Sequence, residues 1–223
     1  MIPGMPGGKF NLLDPAYWEA LCDAVEGLER AGIDCVVVGG SAVQVWMAVL
    51  YTSSGELSIT DVSELEYMLR STRDVDLSAR AKPEEALSAW NRLAATARPP
   101  AEVLSPRAAR LRNISLNLTL EPQDVTGFAE FYDAIIERAT RVQLRRQNRW
   151  LFLKVASLED LFGTKLTRKG NQAKDLVDLD NLCASLSSAG QKVQIAPVRE
   201  YLDEQGLALL NAQVERYPEV FDA

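Results

Sequence analysis

The stretch VVVGGSAVQVW, residues 36–46, decides the fold of this chain. Its first residues form a short run of β-branched apolar side chains, which predicts a buried strand. The glycines and serine then turn the chain, and the following residues, AVQVWMAVLY, predict a helix packed on that strand. Glycine lets a backbone approach a ligand closely, and a helix N-terminus offers N–H groups to an anion. Gly39, Gly40 and Ser41 are therefore candidate phosphate-binding residues, although a tight turn without a ligand explains the same residues.

A second stretch, STRDVDLSAR at residues 71–80, alternates as a strand does and carries Asp74 and Asp76. Residues i and i+2 of a strand point to the same face, so the two carboxylates are expected side by side. At an effective dielectric constant near 20, two such charges repel by roughly 3 kcal/mol. A divalent cation, Mg²⁺ or Mn²⁺, would offset that repulsion. A phosphate-binding turn beside the pair is the layout needed to hold a metal–triphosphate complex.

The composition excludes several classes of protein. Histidine is absent from the 223 residues, which removes His-based zinc sites, Ser-His-Asp triads and imidazole acid–base catalysis. A net charge of −7 argues against general electrostatic binding of nucleic acid, although a local basic patch remains compatible with it. The scattered cysteines, Cys22, Cys35 and Cys183, fit buried thiols in a reducing compartment better than a disulfide framework.

Neither a signal peptide nor a membrane span is expected. The segment MIPGMPGGKF contains no basic region followed by an apolar stretch. Residues 35–51 are apolar but number only 17, and glycine, serine and glutamine interrupt them. We therefore expect a cytoplasmic protein that does not cross a membrane.

The layout predicts an α/β (α+β) fold in two parts. Strand-like and helical patterns alternate over residues 1–155, whereas residues 156–223 read as helices. The length suits one large domain or one domain with a small appendage. Residues 52–70 mix turn residues with a short amphipathic piece, and their pattern assigns no element.

The glycine turn and the paired aspartates resemble the signature of the nucleotidyltransferase fold of the DNA polymerase beta superfamily. That signature is Gly-Gly/Ser at the start of a helix, followed by Asp-x-Asp on a strand. GGSAVQVW and STRDVDL match it in order and context, and Thr72 is also typical. The resemblance implies a mixed sheet flanked by helices and an enzyme that uses an NTP with Mg²⁺ or Mn²⁺. Asp74 and Asp76 would then hold the metal, and Gly40 and Ser41 the phosphates.

A longer segment, SLEDLFGTKLTRKGNQAKDLVDLDNL at residues 157–182, resembles the C-terminal signature of AbiEii-type toxins and related minimal nucleotidyltransferases. In that group one helix carries a lysine, and the next opens with a basic residue and aspartate. Those positions are occupied here by Lys165, Lys174, Asp175 and Asp178. The resemblance implies that Lys165 faces the nucleotide phosphates, that Asp175 orders the site, and that the setting is toxin–antitoxin or phage defence. From the residues alone, Lys165 also reads as a solvated lysine on an amphipathic helix.

The chain departs from the superfamily pattern at Asn117. The resemblance implies a third carboxylate on a later strand, and the matching strand, RNISLNLTLEPQDVTGF, carries asparagine between Leu116 and Leu118. Asparagine is neutral and a weaker ligand for Mg²⁺. Asp124 lies seven residues farther on, in a predicted turn, which is too far along the chain to substitute. The site then works with two carboxylates, binds nucleotide without efficient transfer, or is inactive, and these alternatives stay open.

A basic run, RVQLRRQNRW at residues 141–150, predicts two strand-like pieces with a polar turn. Its arginines and Trp150 could contact RNA phosphates and stack a base, although such a run also fits a solvated hairpin. The arginines are Arg141, Arg145, Arg146 and Arg149.

The leading hypothesis is an enzyme that transfers an NMP from an NTP to a hydroxyl group on RNA, protein or a small molecule. The rival is a nucleotide-binding module without efficient catalysis that acts through a protein partner. An α/β protein with no nucleotide site is a third alternative. Asn117 favours the rival, and the intact Asp-x-Asp pair favours the enzyme.

Overall fold

The computed structural model describes residues 10–120, 135–167 and 173–222. Its helices are α1 (Pro15–Arg30), α2 (Gly39–Thr52), α3 (Glu64–Met68), α4 (Pro83–Thr96), α5 (Leu158–Leu166), α6 (Ala173–Ala189), α7 (Ala196–Arg199) and α8 (Glu204–Arg216). Its strands are β1 (Cys35–Val37), β2 (Asp74–Ala79), β3 (Glu102–Ser105), β4 (Ala108–Leu111), β5 (Ile114–Leu120), β6 (Thr140–Arg146), β7 (Arg149–Val155), β8 (Val193–Gln194) and β9 (Phe221–Asp222).

One mixed sheet of seven strands forms the centre of the fold, in the order β3-β4-β5-β2-β1-β7-β6. β2 pairs in parallel with β5 and antiparallel with β1, while β1 pairs in parallel with β7. Helices pack on this sheet, so the predicted mixed sheet flanked by helices is confirmed. The short strands β8 and β9 pair with each other inside the C-terminal region, where the sequence predicted helices.

The two faces of the central strands differ because strand side chains alternate. Leu77 and Leu118 are buried on the face where α1 packs. Asp74, Asp76 and Asn117 project from the opposite face, beside the beginning of α2. The sheet therefore separates an apolar core layer from a polar layer that the helix N-terminus adjoins.

The predicted strand–helix unit at residues 36–46 is confirmed, with one difference at the glycines. Val38 is extended and caps the helix, and α2 begins at Gly39, so the glycines form its first turn. β1 and α2 together account for the apolar stretch that was weighed as a membrane span. Within residues 10–120, 135–167 and 173–222, no helix combines the length and apolarity needed to cross a bilayer.

Two segments differ from the sequence-based expectation. The strand expected over residues 111–120 is interrupted, because Arg112 and Asn113 adopt positive φ between β4 and β5. β4 pairs with β3 in a hairpin that the sequence pattern did not indicate, since no β3 side chain is fully buried. Residues 52–70, which had no assignment, contain α3.

The three cysteines are buried, as expected for structural thiols. Burial raises the pKa of Cys22, Cys35 and Cys183 to about 12 in each case. The thiols therefore stay protonated near neutral pH, which makes them poor nucleophiles.

The boundary expected between residues 1–155 and 156–223 falls between β7 and α5. Both α5 and α6 pack against α2, so side chains from both parts surround the beginning of that helix. The division into two parts stays a prediction.

Candidate functional site

Asp74, Asp76 and Asn117 lie together on one face of the sheet. Asp76 and Asn117 are direct partners in the parallel pairing of β2 with β5. The amide Nδ2 of Asn117 donates hydrogen bonds to Asp76 Oδ1 at 3.0 Å and to Asp74 Oδ2 at 3.4 Å. The amide thus lies between the two carboxylates and donates to both.

Hydroxyl groups hold the paired aspartates in place. Thr72 Oγ1 donates to Asp74 Oδ1 at 2.8 Å. Ser41 Oγ accepts from the backbone N–H of Asp76 at 3.1 Å and donates to the carbonyl of Asp74 at 3.3 Å. Tyr17 Oη contacts Ser41 Oγ at 2.9 Å, and burial raises the pKa of Tyr17, which keeps its hydroxyl neutral. The Ser41 side chain is thus engaged with β2, and its backbone N–H is the group it can offer to a phosphate.

The N-terminus of α2 opens beside this pair. The first hydrogen bond of the helix runs from Ala42 N to Val38 O at 3.1 Å. The N–H groups of Gly39, Gly40 and Ser41 precede that bond, so they are the unsatisfied donors of a helix start. The first turn also contains no acidic residue. Free N–H groups and the positive end of the helix dipole favour an anion at this position.

Gly39 brings the backbone of α2 against the carboxylate of Asp76. Its φ is +62°, and a Cβ at this position would lie 2.8 Å from Asp76 Oδ2. Glycine satisfies both conditions because it accepts a left-handed backbone and has no Cβ. The close approach of helix and aspartate therefore depends on this residue.

We expect Gly39→Ala to destabilise the protein more than Gly32→Ala does. Gly32 also has a positive φ, +79°, but nothing lies within 4 Å of its Cβ position. Its substitution costs the left-handed conformation alone, about 1 kcal/mol. Gly39→Ala adds the clash with Asp76. Urea denaturation compares the two free energies of unfolding, and equal losses would show that Asp76 moves aside without cost.

Lys165 borders a cavity of about 240 Å³ that Gly39 and Asp76 also line. Its side chain is only 3% exposed, and Nζ contacts Asp175 Oδ1 at 2.9 Å and Asp178 Oδ2 at 2.5 Å. A solvated lysine on an amphipathic helix is therefore excluded. The ammonium group belongs to a buried ion-pair cluster directly beside the paired aspartates.

Arg70 joins this cluster, although no motif in the sequence pointed to it. Its Nε and Nη2 donate to the two carboxylate oxygens of Asp178 at 2.7 and 3.0 Å. A Cβ on Gly40 would lie 3.2 Å from Arg70 Nη2, which places the guanidinium over the first turn of α2. The hydrogen bonds that Arg70 donates to Asp178 raise the pKa of Arg70, so it stays charged. Arg70 and Lys165 thus supply two cations around the helix N-terminus.

Among the described residues, one predicted residue is not part of this arrangement. Lys174 is exposed on the first turn of α6 and does not line the cavity. Asp124, the alternative third acid, lies outside the described residues. The remaining candidates meet around the beginning of α2. They are Gly39, Gly40, Ser41, Asp74, Asp76, Asn117, Lys165 and Asp175.

The metal-ligating groups of this site suit a cation that is also bound by substrate phosphates and water. In the described parts of the chain, no group of three or more His, Cys, Asp or Glu side chains is placed to hold a metal ion. The site offers the carboxylates of Asp74 and Asp76, with the amide of Asn117 between them. Mg²⁺ commonly binds one or two carboxylates together with substrate phosphates and water. The residues present fit that kind of metal binding.

The chain is similar in fold to a solved nucleotidyltransferase-like protein. No protein-family model and no curated protein matches the chain. Among solved structures it resembles an antigenic nucleotidyltransferase-like protein from Paracoccidioides brasiliensis, with 14% identity and a TM-score of 0.54. The match covers 95% of this chain and 92% of that chain. At this identity the likeness shows the fold alone. The fold is nucleotidyltransferase-like, and the narrower resemblance to AbiEii-type toxins stays a prediction.

Proposed function

We propose that the protein is a slow, metal-dependent nucleotidyltransferase that moves an NMP from an NTP to a hydroxyl group. One observation carries the proposal: paired carboxylates face an acid-free helix N-terminus, with two cations around it. The carboxylates suit a metal, and the N–H groups and cations suit a triphosphate. RNA, protein and small molecules are all acceptors that this chemistry allows.

Each side chain has a role in the proposed reaction. Asp74 and Asp76 would hold Mg²⁺ or Mn²⁺, which would neutralise charge at the phosphates. The N–H groups of Gly39 and Gly40 bind phosphate oxygens, and Lys165 lies close enough to the cavity to add positive charge. The acceptor oxygen forms a bond to the α-phosphorus, and the bond from that phosphorus to the leaving pyrophosphate breaks.

The acceptor proton has no carboxylate at position 117 to receive it. Asn117 is neutral, and its amide is already engaged with both aspartates. The hydroxyl proton must therefore pass to solvent or to an aspartate that also holds the metal. A missing general base slows such a transfer by about 10²–10⁴-fold.

The same asparagine favours a second function, a nucleotide-binding module that acts through a protein partner. An amide that donates to both carboxylates stabilises the pair without metal. Such a site can bind a nucleotide as a signal rather than as a substrate. The toxin–antitoxin setting belongs with either function and rests on the resemblance of residues 157–182.

Nucleotide binding is expected to stabilise the folded protein in the presence of metal. A ligand that binds the folded state at about 100 times its Kd adds about 2.7 kcal/mol. For a chain of this size that raises Tm by about 5–10 °C. Thermal unfolding with each of the four common NTPs, in Mg²⁺, Mn²⁺ and EDTA, measures the shift. If no NTP at millimolar concentration gave a metal-dependent shift in Tm, the proposed nucleotide site would be ruled out.

The variant Asp76→Asn distinguishes a metal-binding role of the Asp74 and Asp76 carboxylates from a purely structural role. Because the two carboxylates repel, the variant should keep or slightly raise its Tm in EDTA, while it loses the NTP shift in Mg²⁺. Glu102→Gln removes the same charge from an exposed ion pair on β3 and should keep the full shift. A large loss of Tm in EDTA for Asp76→Asn would instead assign the pair a structural role.

A further inference from the structure

The outer face of the β6–β7 hairpin is an open surface on the same side of the sheet as the paired aspartates. Val36 pairs with Ser78 on one side and with Lys154 on the other. Paired residues share a face, so Lys154 lies on the face that carries Asp76. The residues of this outer face are Arg141, Gln143, Arg145, Trp150, Phe152 and Lys154.

Two exposed aromatic rings lie next to each other on the outer face. Trp150 is 41% exposed and Phe152 is 62% exposed. Their ring centroids are 6.3 Å apart and the ring planes differ by 17°, so the rings are stacked in nearly parallel planes. Each ring leaves apolar area in water, which a stacked ligand would cover.

Cations lie on the same face as these rings. Arg145 is the cross-strand partner of Trp150, and its guanidinium lies 5.5 Å from the ring centroid. Arg141 is the cross-strand partner of Lys154, so two further cations follow along the hairpin. Beside Lys154 lie the carboxylates of Asp34 and Glu29, so the face carries three cations against two carboxylates, in a chain whose net charge is −7.

The other two arginines of the hairpin are used elsewhere. Arg149 forms ion pairs with Glu19 and with Glu26 on α1, and Arg146 donates to the carbonyl of Leu13. Both lie on the opposite face of the hairpin from Trp150, because cross-strand register separates the two sets. The basic run in the sequence therefore divides into an inner half and an outer half. In the outer half Arg141 is exposed, whereas Arg145 is partly buried and donates to the backbone carbonyl of Glu56.

Two acidic side chains lie at the Lys154 end of the outer face. Asp34 contacts Lys154 Nζ at 2.5 Å, and Glu29 lies nearby in the same groove. Burial and the Asp34 carboxylate raise the pKa of Glu29. At the other end, Arg145 lies over the Trp150 ring, and its Nη2 donates to the backbone carbonyl of Glu56 at 3.0 Å.

Part of the outer face, namely Arg141, Gln143, Phe152 and Lys154, lines a groove of about 810 Å³. Trp46 and Val49 of α2, followed by Ser54, line its other side. Arg145 and Trp150 continue the outer face toward the turn of the hairpin, which is at the edge of the sheet.

We propose that the outer face, with the groove it borders, binds single-stranded RNA. Bases stack on Trp150 and Phe152, and phosphates lie against Arg141 and Arg145, which is how proteins hold single strands. Gln143, between the two arginines on the same strand, carries an amide that can donate to or accept from a ribose 2′-hydroxyl. Exposed rings beside arginines favour RNA over a protein partner, because rings stack on bases and guanidinium groups bind phosphates.

The proposal is independent of nucleotide chemistry at the paired aspartates. The proposed binding also differs from general electrostatic binding, because stacking on Trp150 and Phe152 requires bases that are unpaired and accessible. Duplex RNA buries its base faces by stacking and pairing, so it should bind more weakly than the single strand.

Fluorescence anisotropy with an end-labelled single-stranded RNA of about twelve nucleotides tests the groove directly. The measurement is made on the full chain in EDTA without NTP, so that failure of the metal site does not affect it. Phe152→Ala and Trp150→Ala should each weaken binding at least about 5-fold, the lower end for loss of one stacked base. Tyr67→Ala removes an aromatic ring that is 86% exposed on α3 and should leave binding unchanged.

Charge is tested by a second pair of variants. Arg141→Gln should weaken binding and reduce the slope of log K against log salt by about 0.7, the value for one phosphate contact on a single strand. Arg107→Gln removes an exposed arginine near the opposite edge of the sheet and should change neither quantity.

Three results would overturn the proposal. One is the absence of RNA binding at low salt and high micromolar protein. Another is equal binding of single-stranded and duplex RNA with no effect of Phe152→Ala. The third is self-association in sedimentation that Phe152→Ala abolishes, with no RNA binding, since the face would then be an interface between copies of this chain.

Discussion

Asn117→Asp is expected to tighten metal binding and to raise NMP transfer above the wild-type rate. The substitution is nearly isosteric and places a third carboxylate beside Asp74 and Asp76, where the amide now donates to both. An added carboxylate strengthens the attraction for a dication and provides a group that can accept the acceptor's proton. We expect a gain of about 10²-fold in transfer, the lower end for a restored general base. A labelled-NTP assay with a panel of hydroxyl acceptors measures it.

The same variant has a signature that does not depend on activity. Without metal, three carboxylates repel and two hydrogen bonds from the amide are lost, so Tm in EDTA should fall below the wild-type value. Mg²⁺ should then restore or exceed it. Asn113→Asp makes the same change at an exposed turn residue with positive φ and should show no metal dependence. Brisk wild-type transfer that Asn117→Asp leaves unchanged would remove Asn117 from the third-ligand position and direct attention to Asp124.

Lys165→Met is expected to lower the free energy of unfolding by about 3–5 kcal/mol, the range for breaking a buried ion pair on one side. The lysine is 3% exposed and contacts Asp175 and Asp178, both almost fully buried. Methionine keeps most of the side-chain volume but leaves two carboxylates without that cation. Arg70 still reaches Asp178, so the loss should come mainly from Asp175. Chemical denaturation monitored by tryptophan fluorescence gives the value.

Two further variants test this explanation. Lys192→Met breaks an exposed pair with Asp222 and should cost less than about 1 kcal/mol, as surface ion pairs do. Asp175→Asn in the Lys165→Met background removes the uncompensated charge and should recover part of the loss. A loss for Lys165→Met no larger than that for Lys192→Met would mean that water or a rearranged Arg70 solvates the aspartates.

Local features of the sequence predicted the strand–helix unit and the polar face of β2. Alternation of apolar residues determines which face a strand side chain takes, and Asp74, Asp76 and Asn117 lie at positions where that rule suffices. The start of α2 was predicted three residues too late, at Ala42 instead of Gly39, although glycine after a β-branched run indicated correctly where the strand ends. These features depend on neighbours along the chain.

Contacts between distant segments could not be derived in this way. Arg70 and Asp178 are separated by 108 residues, and nothing near Arg70 distinguishes it from the other arginines. The division of the hairpin arginines into two faces also required the cross-strand register, since Arg145 and Arg146 are adjacent in sequence. The sequence predicted that Ser41 binds phosphate, but its hydroxyl group bonds to β2, a strand more than thirty residues away along the chain.

The parallel pairing of β1 with β7 has a consequence for synthesis of the chain on the ribosome. Val36 pairs with Lys154, so one edge of β1 has no partner until most of the chain has emerged. Pairings of such long sequence separation close late and leave apolar strand edges exposed in the meantime. A nascent chain that ends before β7 therefore leaves one edge of β1 unpaired, so that this edge can pair with another chain. Such a chain also lacks Lys165 beside α2. Premature termination should yield aggregates or chaperone clients rather than a partly active protein.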